Sequence, residues 1–263
     1  SKTVYDQTMG TSQMLSCTEE RLRQMDEDAR VTTFGQEFNP FTYGIAKANA
    51  LIRGNDDSNM QFGDTLSGDK FPGYTFDYCI SNPPFGNPWN PQADAVTAEH
   101  EKGASGRFAP GLPAKGDGQM LFILNGLAKL KDNGVMVIVQ DASPLYKGRP
   151  ESGEDKIRRY ILENDWLDCI AQLSTDAFYN TGISTFLWVL SKNKAPERKG
   201  KVLLVDASQC FEKRRKGIGD KKNDITKRCR DLILKAYGEY SEDKAVYVDE
   251  LPNGKQIRVE SAL

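Results

Sequence analysis

Phe76-Asp77-Tyr78-Cys79-Ile80-Ser81-Asn82-Pro83-Pro84-Phe85-Gly86 is an apolar run that empties into a stiff polar loop. The first five residues read as a buried strand. Asn82 offers one carbonyl acceptor and two amide donors. Pro83 has no N–H, and two successive prolines hold the backbone rigid. The Asn82 side-chain carbonyl and the Pro83 main-chain carbonyl can then both accept from one planar NH2 group. Phe85 supplies a face on which a flat heterocycle can stack, and Gly86 lets another group approach the backbone. The stretch has the chemistry of a receptor for an exocyclic amine on an aromatic base.

Three signals lie upstream of it. Thr3 to Asp6 reads as a short strand, and Gln7 to Leu15 as a Gly-containing turn that enters a helix, the layout of a nucleotide-binding first crossover. Val31 to Glu37 reads as a second strand ending in an acid, about 20 to 30 residues after the turn, which suits two ribose hydroxyls. A third strand runs into Gly63-Asp64-Thr65-Leu66, where Asp64 can accept from an adenine amine.

Outward from these blocks, strands and helices alternate, the pattern of a mostly parallel α/β sheet. Strands are expected at 2–6, 31–37, 59–63, 75–81, 134–140, 166–173, 184–191 and 201–206, and helices at 11–28, 41–53, 117–132 and 153–164. The link between 166–173 and 184–191 is too short for a helical crossover, so these two strands should pair antiparallel at one edge. Residues 86–117 have little periodicity and read as a long loop closing near the substrate, with Arg107 and Phe108 offered to a phosphate and a base. Apolar density falls beyond residue 192, and 211–230 is rich in Lys and Arg. That run is the best candidate contact for DNA phosphate or an acidic partner.

Composition narrows the classes. The 263 residues suffice for one large domain or a domain with an appendage, and a net charge of −2 argues against a free-standing nucleic-acid binder. Five scattered cysteines form no Cys-x-x-Cys pair and suggest reduced thiols in a cytoplasmic protein. With His100 as the one histidine, neither a metal site nor a histidine-based triad is expected. No apolar run approaches the ~18 residues of a membrane span.

Asn-Pro-Pro-Phe at a strand end resembles the catalytic motif of the amino-methyltransferases that methylate adenine N6. The blocks Phe34 to Pro40, Gly63 to Leu66, Ser81 to Gly86 and Phe178 to Thr185, in this order, resemble the modification (M) subunit of type I restriction–modification systems. So do Ser105 to Phe108, Lys156 to Arg159 and Val202 to Ala207. The resemblance covers essentially the whole chain. It implies a Rossmann-like methyltransferase with a seven-stranded, mostly parallel sheet and an antiparallel edge hairpin. It implies S-adenosylmethionine as cofactor, with Asp6 and Gly10 at its methionine side, Glu37 on the ribose, Asp64 on the adenine, and Thr11 also binding it. Asn82, Pro83, Pro84 and Phe85 would be catalytic. Double-stranded DNA, a specificity (S) subunit, a restriction (R) subunit and a second M subunit would be the partners, with no membrane contact. Residues 1–207 would form the catalytic core and 208–263 a basic extension, with the family's amino-terminal helical domain lying outside this chain.

The first turn departs from the family pattern, Asp-Pro-x-Cys-Gly-Ser/Thr-Gly-Gly. Gln7 stands for Pro, Met9 for Cys, and Ser12 and Gln13 for the two later glycines. A serine fits there if its φ stays negative, and Gln13 fits if it points away from the helix. Two other readings stay open. One is an amino-methyltransferase acting on RNA or protein. The other is a catalytically silent DNA-binding or assembly subunit.

Overall fold

The computed structural model describes residues 1–263. They form two compact units, one of Ser1–Ile138, Tyr146–Asn164 and Ser191–Asn193, the other of Val139–Leu145, Asp165–Leu190 and Lys194–Leu263.

In the first unit, β1 (Lys2–Asp6) lies between β2 (Val31–Glu37) and β4 (Phe76–Ser81), parallel to both. β3 (Met60–Phe62) continues the sheet beyond β2, and β5 (Leu130–Gln140) beyond β4, again parallel. The chain thus winds outward from β1 to β3 and resumes on the other side of β1. That reversal opens a crevice at the carboxyl ends of the strands. Two helices follow the first strands, α1 (Gln13–Met25) and α2 (Pro40–Arg53). Val4, Met9, Leu15, Ala46, Ala50 and Met60 bury the apolar layer between them and the sheet. α2 starts where its sequence demands: the Asn39 side chain accepts from the N–H groups of Phe41 and Thr42, and Pro40 fills the first turn.

Residues 86–117 are not a loose lid. They hold α3 (Ala93–His100) and two single-turn 3-10 helices, Asn90–Gln92 and Gly103–Ser105. Trp89 and Phe108 are buried and anchor the segment, and the Trp89 indole donates to the Ala114 carbonyl at 3.1 Å. The next helix, α4 (Gln119–Ala128), is buried at every residue from Gln119 to Leu127, which explains why its sequence is apolar all round. It ends earlier than expected. Lys129 is buried, with Nζ held by Asp69 Oδ2 at 2.7 Å and the Phe71 carbonyl at 2.8 Å, and β5 begins at Leu130. Asn133-Gly134, just past the expected end of the helix at 132, instead lies within the strand, next to a register shift against β4. Two more helices follow, α5 (Ser143–Tyr146) and α6 (Gly153–Glu163).

In the second unit, β6 (Leu167–Leu173) pairs antiparallel with β7 (Phe186–Ser191), the expected hairpin. The hairpin does not end the array at β6, however. β8 (Leu203–Ala207) pairs parallel with β6, followed by β12 (Gln256–Ala262) and β11 (Ala245–Glu250), both antiparallel. α7 (Lys227–Glu239) packs on this group through Cys229 and Ala236, which share a buried cluster with Val205, Tyr247, Ile257 and Val259. Residue 207, the expected end of the catalytic core, lies inside this unit at the end of β8. A separate two-stranded ribbon, β9 (Glu212–Ile218) and β10 (Lys221–Asp224), carries most of the basic run.

Candidate active site

The carboxyl ends of β1, β2, β3 and β4 bring all the expected site residues of the first unit to one edge of its sheet. Asp6 ends β1 and is buried, its Oδ1 accepting from the Thr8 N–H at 3.0 Å. Burial pushes its carboxyl up to about 7, against the lowering effect of that bond, and the nearby negative charge of Glu37 adds to the rise. Gly10 follows with φ +54°, and a Cβ built on it would meet nothing within 4 Å, so the turn is open above it. Glu37 staples the turn to the end of β2. Its Oε2 accepts from the Gly10 N–H at 2.9 Å and its Oε1 from the Asn39 N–H at 2.8 Å. Each oxygen keeps a second lone pair for a hydroxyl. Thr11 is half-buried beside them.

The first turn accommodates its unusual residues unequally. Gln13 is exposed and its Oε1 accepts from Arg53 at 3.3 Å, so it leaves the crevice clear. Ser12 does not keep a negative φ. It sits at φ +67°, the left-handed region where glycine is at ease, and it is buried. The Ser12 and Thr8 hydroxyls are buried with no partner in the protein. A buried carboxylate, an open glycine turn and two unused hydroxyls fit the charged methionine end of S-adenosylmethionine.

Gln7 links this turn to the Asn-Pro-Pro-Phe segment. Its Nε2 donates to Ser81 Oγ and to the Phe122 carbonyl, both at 2.9 Å, while its Oε1 accepts from Asn125 at 2.7 Å. Ser81 immediately precedes Asn82, which is half-buried and whose carboxamide bonds to no group of the protein. Pro83 is buried and Pro84 exposed. Phe85 is half-buried and pairs with no other ring. The backbone turns away at Gly86, φ +62°.

Asp64 lies just beyond β3. Its Oδ1 accepts from the N–H groups of Leu66 at 2.8 Å and Ser67 at 3.3 Å, and its Oδ2 from Gln92 Nε2 at 2.6 Å. Its loop is held by fully buried Gln36, which donates to the Gly68 carbonyl and accepts from the Lys70 N–H. Gln36, Gln92 and Asn125 were not singled out from the sequence, and Gln7 was noted only as a departure from the family's first turn. The available signal was an amide side chain at an otherwise inward-facing position.

Arg107 and Phe108 do not face a substrate. Arg107 Nε donates to Glu99 Oε1 at 2.7 Å and Nη2 to Glu99 Oε2 at 2.5 Å. Its Nη1 reaches the Thr65 carbonyl at 2.7 Å and Asn125 Oδ1 at 2.8 Å. Phe108 is 0% exposed, and its carbonyl lies 2.6 Å from His100 Nδ1. The pair clamps the segment after the motif to the Asp64 loop and α4.

A family model described as N-6 DNA Methylase matches residues 1–253. The chain belongs to the N-6 DNA Methylase family. Among its relatives is the type I restriction enzyme HindI methylase subunit of Haemophilus influenzae, 30% identical over 210 residues, covering 78% of this chain and 44% of that protein. The MjaIX methylase subunit of Methanocaldococcus jannaschii is 28% identical over 211 residues, covering 80% of this chain and 37% of that protein. The chain therefore spans about two fifths of these relatives. The type I restriction–modification methyltransferase subunit of Streptococcus thermophilus superposes with a TM-score of 0.78 at 31% identity, over 92% of this chain and 48% of that one. The N-6 DNA Methylase fold is also that of the EcoKI M protein, with a TM-score of 0.69 at 18% identity over 97% of this chain and 56% of that one.

Proposed function

We propose that this chain is the catalytic part of a type I modification subunit that methylates adenine N6 in DNA, using S-adenosylmethionine. The observation that carries the reading is the unengaged Asn82 carboxamide. It stands at the end of β4 beside Pro83 and Phe85, across from the Gly10 turn of the adjacent strand. When bound, the cofactor supplies an electrophilic methyl group. Asp6, Gly10 and Thr11 would hold its methionine end, Glu37 its ribose and Asp64 its adenine. The target base must leave the duplex to reach the site, and Phe85 gives it a ring to stack on. Asn82 Oδ1 and the Pro83 carbonyl would accept the two hydrogens of the amine. They would stabilise the positive charge that N6 acquires as the methyl arrives. S-Adenosylhomocysteine would be left behind, and one proton of the now acidic, cationic N6 would pass to solvent after the transfer, so no general base is required.

DNA would be met in part by the β9–β10 ribbon. Arg214 is paired bidentately with Asp224 at 2.7 and 2.9 Å, and Lys221 with the same carboxylate at 3.3 Å. Lys213, Arg215 and Lys216 are exposed and bond to no acidic group. The ribbon is held to the 174–183 loop by Asn223 Nδ2 on the Thr175 carbonyl and by the Asp220 N–H on the Tyr179 carbonyl. Tyr179 is 59% exposed at its side. Exposed cations without acidic partners suit the phosphates of a polyanion. Specificity and restriction subunits and a second modification subunit complete the proposed assembly.

Asn82→Ala tests the reading in the reconstituted complex. Methyl transfer to DNA should fall roughly 10²–10³-fold while cofactor affinity by calorimetry holds. Near-normal methylation would remove the assignment, and tritium transfer to RNA or protein in preference to DNA would move the substrate class.

A further inference from the structure

Asp64 has two oxygens with different duties. Oδ1 is consumed by the Leu66 and Ser67 N–H groups, which fold the loop after β3. Oδ2 takes no part in that turn, and the Gln92 amide already donates to it at 2.6 Å. An adenine amine bound to Asp64 must use Oδ2 as well. The donor now occupying that oxygen is itself a planar NH2 group, chemically the same as the amine it precedes.

Gln92 closes the 3-10 turn Asn90–Gln92 and immediately precedes α3. It belongs to the segment that leaves Asn82. The far end of that segment is fixed by the Arg107–Glu99 pair and by buried Phe108. Its near end is tied by the buried Trp89 side chain, the Trp89 indole on the Ala114 carbonyl, the Trp89 N–H on the Lys115 carbonyl, the Gly118 N–H on the Asn87 carbonyl, and the Gln92 amide on Asp64. The Gln92 bond is the one that runs to a residue of the proposed cofactor site. Gln92 is half-buried, so its side chain has room to leave.

We infer that Gln92 is a positioning residue that stands in for the cofactor's adenine amine on Asp64 Oδ2 and is displaced by it. This inference rests on the proposed role of Asp64. Cofactor entry then exchanges one amide donor for another. The exchange frees Gln92, ten residues from Asn82 and at the start of α3, so the segment following the motif responds to whether the cofactor is in place. The bond that must be broken first lowers the apparent affinity, as any competing closed state does.

The experiment measures S-adenosylhomocysteine binding to this chain by calorimetry, alongside the analogue that carries hydrogen in place of the adenine amine. Gln92→Met keeps the length of the side chain and removes the donor. It should bind S-adenosylhomocysteine about tenfold more tightly than the native chain, the scale of one charge-assisted bond, and bind the analogue unchanged. Gln92→Ala should do the same, with melting temperatures checking that both variants fold. Equal or weaker binding of S-adenosylhomocysteine by the folded variants would overturn the inference, as would an equal gain for both ligands. Asp64→Asn preserves the loop acceptor and removes Oδ2. It should abolish the preference for the amine-bearing ligand. A preference that survives Asp64→Asn would overturn the role of Asp64 itself, a failure separate from that of Gln92.

Discussion

Two charged, weakly periodic stretches of this chain read alike in sequence and have opposite fates in the fold. Arg107, in the segment after Asn82, is drawn inside and saturated: Glu99, the Thr65 and Leu66 carbonyls and Asn125 take its donors. Lys213, Arg215 and Lys216, on β9, remain in solvent without acidic partners. The difference lies in what converges on the cation. A guanidinium surrounded by acceptors from several elements becomes part of the scaffold, whereas cations on a ribbon with a single paired acid, Asp224, stay available to a polyanion. Asp6 is a third case, a buried carboxyl that no cation pairs with.

Arg107→Ala should have the largest effect. It leaves Glu99 partly buried and unpaired, and about 3–5 kcal/mol of stability should be lost, as measured by urea unfolding. A loss below about 0.5 kcal/mol, the range of ordinary surface changes, would break the comparison by making Arg107 equivalent to the ribbon cations.

Asp6 should show itself through pH. Its carboxyl is raised from 3.8 to about 7, so the fold favours the neutral form. That contribution is present below pH 3.8 and is lost as pH rises through 7. The native chain should therefore lose stability relative to Asp6→Asn across this window, by on the order of a few kcal/mol. S-Adenosylhomocysteine, which brings an ammonium group, should bind more tightly to the native chain as the pH passes 7. A difference curve that is flat with pH would mean that Asp6 is not desolvated.

Ser12→Gly should stabilise the chain by about 1 kcal/mol, because the left-handed backbone at φ +67° no longer opposes a side chain. Cofactor affinity should hold or improve. A drop in affinity would show that the serine hydroxyl is a ligand, and that its strained position is kept for that purpose.

Replacing Lys213, Arg215 and Lys216 together by Gln should change stability by less than about 0.5 kcal/mol. DNA binding should weaken, and the slope of log affinity against log salt should fall by about 0.9 for each phosphate contact removed. An unchanged slope would return the ribbon to the status of a solvated surface. Restored binding to an acidic protein fragment, with DNA unaffected, would reassign its partner.

Much of the proposed site was legible because it lies at strand ends. Strand ends are local features: a run of apolar residues, then an acid or a turn residue, as at Asp6, Glu37, Asp64 and Asn82. The parallel order β4, β1, β2, β3 then brings them to one edge whatever the details of packing. The helix at 93–100 and the strands beyond residue 207 were not legible. Their apolar residues, such as Val96, Ile257 and Val259, are sparse in the sequence and are buried only by partners elsewhere in the chain.

The amino-acid sequence by itself determined the parallel α/β class, the placing of the acids and of Asn-Pro-Pro-Phe at strand ends, and the family. Those properties follow from periodicity and from short motifs whose geometry is set within a few residues. Only the tertiary structure decided which polar groups are spent. Arg107 finds acceptors 41, 42, 8 and 18 residues away, and Gln7 meets Asn125 across 118. The Gln92 amide reaches Asp64 across 28 residues. Hydrogen bonds act over about 3 Å in space and carry no signature along the chain. Whether a side chain serves the scaffold or the ligand is therefore settled where the distant segments meet.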